Sequence, residues 1–163
     1  MDQNLEWQCG ITPADMSLLE EFGCKGKCCK GRTMVTADEK SRIVEHSGSD
    51  HLFNWHGDIY FLERGECPYL SEGLCSVQDV KPFVCMIFPY VPVVIDDSLW
   101  LYLVSECEYA SRISKSFTEK AIRLTRQFFK HLSLDEYSRY WNENKIGDFN
   151  EERIIAKIKV IDG

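Results

Sequence analysis

Eight cysteines stand in this chain of 163 residues, and most of them fall in two clusters. Cys24, Cys28 and Cys29 form the first; Cys67, Cys75 and Cys85 form the second, with Cys107 downstream and a lone Cys9 upstream. A thiolate is a soft ligand, and zinc or iron takes four of them in tetrahedral array. Cys24 and Cys28, with three residues between them, have the close spacing that lets a loop deliver two ligands at little closure cost. Cys67 and Cys75 flank Gly73, a plausible chain reversal, and Pro82 stiffens the connection from Cys75 to Cys85. The adjacent pair Cys28 and Cys29 is different. Neighbouring side chains diverge, so the two suit separate metals, or separate irons of an iron–sulfur cluster, better than one ion. The competing reading is that a free cysteine is a small buried hydrophobe. That reading is taken for Cys9; for Cys24, Cys28, Cys29, Cys67, Cys75, Cys85 and Cys107 metal ligation is expected.

Disulfides are the other use of an even cysteine count. The opening residues Met1 to Gln8 lack a basic stretch followed by an apolar one, so they do not read as a secretory signal. A cytoplasmic location is therefore expected, where thiols stay reduced and clustered cysteines bind metal or do redox chemistry. The net charge of −7 argues against nucleic acid, which rewards clustered Lys and Arg. No apolar run is long enough for a membrane span. With 44% hydrophobic residues the chain is ordinary for a globular protein.

The thiols need elements to hold them. Thr12-Pro13-Ala14-Asp15 has the form of a helix start, with Met16, Leu19 and Phe22 inward and Gly23 at the end. Thr36 and Glu39 form a capping box that opens a helix to about His46, with Ile43 and Val44 inward. Leu52 to Arg64 turns strand-like around Trp55-His56-Gly57-Asp58. The Cys67–Pro89 stretch reads as loop and short helix. Tyr90–Ile95 and Leu99–Val104, on either side of Asp96-Asp97-Ser98, predict a β-hairpin, and a chain returning from it would bring Cys107 beside Cys85. Ile113, Phe117, Ala121, Leu124, Phe128 and Leu132 step along one face of a helix, and Lys115, Lys120, Arg123, Arg126 and Lys130 lie off that stripe. Leu134 to Trp141, opened by Ser133, reads as another helix. The tail Arg153–Val160 fits a strand or a helix and is assigned here to a helix.

Other constellations carry less. His51 and His56 flank the first hairpin within reach of auxiliary ligation, but read better as turn histidines. Asp96-Asp97 suits a hairpin turn better than a carboxylate pair. The basic side of the 113–132 helix suits an acidic partner or simple solvation. Trp55, Trp100, Tyr102 and Trp141 fit a core as well as a stacking surface. Phosphate-binding glycine loops, a nucleophile elbow and an HExxH helix are missing from the sequence.

Cys28-Cys29-Lys30-Gly31, Cys67-Pro68-Tyr69-Leu70 and the run from Cys75 to Pro89 resemble the cysteine-cluster family that carries the CxxCxxCC signature, whose members are described as zinc- or iron-chelating. The resemblance spans about residues 22–110. The cysteines, Pro82, Phe88 and Pro89 stand where the family's later motif asks, and Cys107 resembles a late cysteine that such proteins often carry. The first cysteine of the signature is missing, and Cys24 precedes the double cysteine by one residue more than usual. Gln78, Lys81 and Met86 replace a Tyr and two Arg. Loss of the second Arg at Met86 removes the basis for an anion-binding role there. One branch of the family includes a flagellin lysine methylase that uses an iron–sulfur cluster and S-adenosylmethionine; no segment here matches its cofactor site, so that activity is not carried over.

The expectation is thus one α+β domain over residues 1–163, with a motif core at about 22–110 and a helical part at 111–163. Helices surround a small antiparallel sheet, and metal fixes the cysteine-rich loops. The expected function is metal binding, by zinc or an iron–sulfur cluster, with the metal chiefly structural and a protein as partner. The alternative is an iron–sulfur enzyme of electron or methyl-group transfer, with no catalytic residue identified.

Overall fold

The computed structural model describes Cys29 and residues 32–72, 74–107, 110–144 and 150–163. The predicted helix at 12–23 lies outside these residues, as do Cys9, Cys24 and Cys28. The chain divides into two compact units, residues 1–86 and 87–163. Both mix helices with antiparallel strands, which makes the protein α+β.

In the first unit, β1 (Thr33–Thr36) runs straight into α1 (Ala37–Ser47). The junction is the predicted capping box: the Thr36 hydroxyl accepts from the Glu39 N–H, and the Glu39 carboxylate accepts from the Thr36 N–H at 2.9 Å. Gly48, with φ of 71°, ends α1 by donating its N–H to Val44 O. That left-handed conformation suits a residue without Cβ. β2 (Phe53–His56) and β3 (Ile59–Leu62) form the expected hairpin, and the sheet order is β1-β3-β2. Met34 and Phe53 both pair with Phe61, on opposite edges of β3. β1 is a strand that sequence patterning missed.

Beyond the sheet, β4 (Leu70–Ser71) and β5 (Leu74–Cys75) form a minimal hairpin in the stretch read as loop, and it supplies the reversal expected between Cys67 and Cys75. A 3₁₀ turn at Gln78–Val80 and the short helix α2 (Phe83–Ile87) follow. The core of this unit is Val35, Ile43, Leu52, Leu62, Tyr69 and Val77, with Cys67, Cys75, Tyr60 and Val80 packed against it.

The second unit is more regular. β6 (Tyr90–Ile95) and β7 (Ser98–Val104) pair in continuous register from Tyr90↔Leu103 to Ile95↔Ser98. Asp96 and Asp97 make a two-residue turn with positive φ at both positions, 48° and 59°. Aspartate tolerates this conformation, and its twist matches that of the strands. The tail is β8 (Ile154–Ile161), antiparallel to β7, and the helix assigned to it is incorrect. Its odd and even residues alternate in exposure, as an edge strand lying on a core requires.

α3 (Lys115–Phe128) and α4 (Leu134–Glu143) are capped by Ser114 and Ser133, whose hydroxyls accept from Phe117 N–H and Glu136 N–H. α3 packs on β8 and α4 on β6. Phe117 stacks on Tyr90, the Tyr90 hydroxyl meets Thr118 Oγ1 at 2.7 Å, and the buried Tyr137 hydroxyl donates to Pro92 O at 3.0 Å. Thr125, which falls outside the predicted apolar stripe, is fully buried and returns its hydroxyl to Ala121 O at 2.7 Å.

Candidate metal centre

Four of the predicted thiols share one neighbourhood in the first unit. A backbone bond of 3.2 Å from Cys67 N–H to Cys29 O ties the first cysteine cluster to the second. Cys67 then begins a tight turn. Leu70 N–H donates to Cys67 O at 3.0 Å, and the N–H groups of Tyr69 and Leu70 are also directed at the Cys67 sulfur. Cys75 sits opposite Leu70 across the β4–β5 pair, and the N–H of Val77 points at its sulfur. Cys85 is carried by α2, with its own N–H bonded to Pro82 O at 2.9 Å. Cys29, Cys67, Cys75, Cys85 and Cys107 all stand as thiols outside disulfides.

The electrostatics follow from burial. Desolvation is the first cause that pushes the Cys67, Cys75 and Cys85 thiols up, most strongly at Cys85. The thiols also raise one another: Cys29 acts on Cys67, Cys75 and Cys85, and Cys67 acts on Cys75 and Cys85. Opposing this, backbone N–H groups favour the charged sulfur at Cys67 and Cys75, and Lys81 favours it at Cys75 and Cys85. Lys81 is only 8% exposed, and its ammonium nitrogen is enclosed.

This donor set fits zinc or iron. All four donors are sulfur, two of them already receive backbone N–H groups, and their mutual repulsion as thiolates is what a bound cation relieves. Among the described residues no three of the Cys, His, Asp and Glu side chains stand as ligands to one ion, so the thiols are gathered without closing on a point. Cys107 is buried in the second unit, just past β7, where Ala110 N–H donates to its carbonyl. His51 and His56 are exposed; His51 lies edge-on to Tyr69 and His56 against Trp55, as turn histidines do.

Two residues of this region gave no signal of their role in the sequence. Lys81 is legible only as a replacement within the cysteine motif. Glu39 is legible as half of a capping box, yet it is 4% exposed and its second oxygen accepts from Phe83 N–H at 2.7 Å, a partner 44 residues away.

The first unit thus gathers thiols that receive backbone N–H groups on a small α+β core, the mark of a cysteine-rich metal-binding class. The chain belongs to the CxxCxxCC family, described as a putative zinc- or iron-chelating domain, whose pattern matches residues 21–127, more than half of the sequence. That description agrees with the expectation of zinc or iron. Comparison with curated proteins and with solved structures found no match. No helix among the described residues is long and apolar enough to cross a membrane.

Proposed function

We propose that the protein is a metal-thiolate module in which Cys29, Cys67, Cys75 and Cys85 hold one zinc or iron centre. Cys24, Cys28 and Cys107 are the further thiols that a second metal or a cluster would draw on. The observation that supports this most is the gathering of four half-buried thiols that repel one another as thiolates, with N–H groups already aimed at two of them. Within the centre each residue has a task. Cys67 enters from a turn and Cys75 from the end of β5, and nearby amides of each segment hold sulfur charge. Cys85 enters from α2, and Cys29 is tied to Cys67 through the backbone. Lys81 offsets part of the negative charge that four thiolates leave around a divalent ion. The bound metal supplies cross-linking of segments distant in sequence, so its main role is structural.

Ordering of these loops steadies the adjoining β2–β3 hairpin. There Phe53, 55% exposed, stacks on Phe61, an apolar spot suited to a protein partner.

Anaerobic purification followed by metal and acid-labile sulfide analysis tests this reading. Zinc near one per chain, without sulfide, fits the structural module. Iron with matching sulfide moves the centre to the iron–sulfur alternative and opens electron or group transfer. A chain that holds neither metal at stoichiometry overturns the proposal.

A further inference from the structure

The reading of Cys29, Cys67, Cys75 and Cys85 as a metal centre leaves open what fixes Cys85. The other three are held through local structure: a turn, a strand pair and a backbone bond. Cys85 rides on α2, a helix of five residues, too short to hold itself in place. Its first N–H groups lack intrahelical partners. One of them, Phe83 N–H, is taken by Glu39 Oε1 at 2.7 Å, the shortest backbone-to-side-chain bond among those described. The other oxygen, Oε2, is held by Thr36 N–H at 2.9 Å and the Thr36 hydroxyl at 3.2 Å. One buried carboxylate therefore clamps the start of α1, which is built on the sheet, to the start of the Cys85 helix.

The geometry points to Glu39 as the positioning residue of the thiol centre: through Phe83 it sets where Cys85 stands relative to Cys29, Cys67 and Cys75. A capping box needs only a local reach back to Thr36. Burial of the carboxylate and its use of the second oxygen exceed that need. The side chain must be long enough to span Thr36 and Phe83 at once and must accept at both oxygens, so a carboxylate of glutamate length is what the clamp requires.

This inference rests on the metal reading, and cobalt(II) titration of the metal-free full-length chain separates the two. Cobalt on thiolates gives charge-transfer and ligand-field bands that follow coordination geometry, a readout that loss of stability alone does not move. Glu39→Gln keeps the length but has only one acceptor oxygen, so its amide NH2 opposes either Phe83 N–H or Thr36 N–H; it should lose about tenfold in cobalt affinity and show altered ligand-field bands. Glu39→Asp keeps the charge but is one methylene short. It should lose tenfold or more in affinity and show altered ligand-field bands. Gly48→Ala strains only the far end of α1, where φ is 71°, and should lower the melting temperature with the cobalt spectrum unchanged.

If Glu39→Ala fails to fold, the Gln and Asp variants still decide. A wild-type spectrum and affinity in Glu39→Asp or Glu39→Gln would show that the two-oxygen clamp does not set Cys85, and would overturn the inference. Absence of cobalt and zinc binding from the wild-type chain would instead remove the centre itself, and this role with it.

Discussion

The two units of this protein differ in the length and regularity of their elements. In residues 87–163 a six-residue and a seven-residue strand pair in continuous register, an eight-residue strand joins the second of them with two register shifts, and two amphipathic helices cover the sheet. Phe117, Tyr137, Tyr140, Leu99 and Leu101 are each buried to 2% exposure or less. In the described part of residues 1–86 the sheet strands are four residues long, the next hairpin has two residues a side, and the helix bearing Cys85 has five. Around the thiols, two sequence-distant contacts are single hydrogen bonds, Cys67 to Cys29 and Phe83 to Glu39. The second unit is built on continuous hydrophobic burial. The first gathers thiols beside a smaller apolar core, and under the proposed function its metal would supply part of its folding energy.

Metal removal breaks this comparison most sharply. Binding to a structural thiolate site contributes on the order of 10 kcal/mol to folding. Chelation should therefore abolish amide protection around residues 67–86 while β6, β7 and β8 keep theirs. Hydrogen exchange with and without a strong chelator reads both units in one experiment. Equal loss in both units would show that they share one stability, and no loss in either would show that the centre is not structural.

The converse is Phe117→Ala. Phe117 is fully buried between α3 and Tyr90, so the variant should lose about 3–5 kcal/mol, confined to the second unit. Metal content per folded chain should stay at the wild-type value. A smaller perturbation of the same unit is Tyr137→Phe. It deletes the donor to Pro92 O and should cost about 1 kcal/mol in denaturant unfolding, again without change in metal content.

The same contrast explains what could be seen in advance. Elements set by local rules were legible: the Thr36–Glu39 box, the β6–β7 hairpin with its two-aspartate turn, the helix α4 with its Ser133 cap, and α3, read over 113–132 without its Ser114 cap and found at Lys115–Phe128. The cysteine motif marked Cys67, Cys75 and Cys85 as a set, and the hairpin between the first two is minimal but present. Elements set by distant partners were not. β8 carries Ile154, Ala156, Ile158 and Val160 on one side, but its double isoleucine blurs the alternation, and only pairing with β7 decides for strand. Thr33–Thr36 is too short to announce a strand without β3 beside it. Glu39 reaching Phe83, and Lys81 withdrawing beside two thiols, are facts of three-dimensional proximity that no spacing rule contains.

Glu39 also gives the subtlest test, because two carboxylates of the first unit respond to pH in opposite directions. Burial pushes the Glu39 carboxyl up, against the N–H groups of Thr36 and Phe83, which favour its charged form. As pH rises through the ordinary glutamate range, the unfolded chain releases this proton while the folded chain still holds it. The unfolded state then binds fewer protons, so this group's contribution falls with rising pH until the folded carboxyl also ionises. Asp50 is held below the usual range, first by its bond to Lys40 at 2.8 Å and then by the Leu52 N–H. Its contribution is present above the ordinary aspartate value and is lost as pH falls through the folded one. Stability of the first unit, measured by denaturant unfolding from about pH 2 to 7, should therefore rise more steeply with pH in Glu39→Gln than in wild type above about pH 4, and less steeply in Asp50→Asn below about pH 4. Parallel curves for wild type and Glu39→Gln would mean that the carboxyl titrates alike in the folded and unfolded chains, and that the N–H groups of Thr36 and Phe83 fully offset its burial.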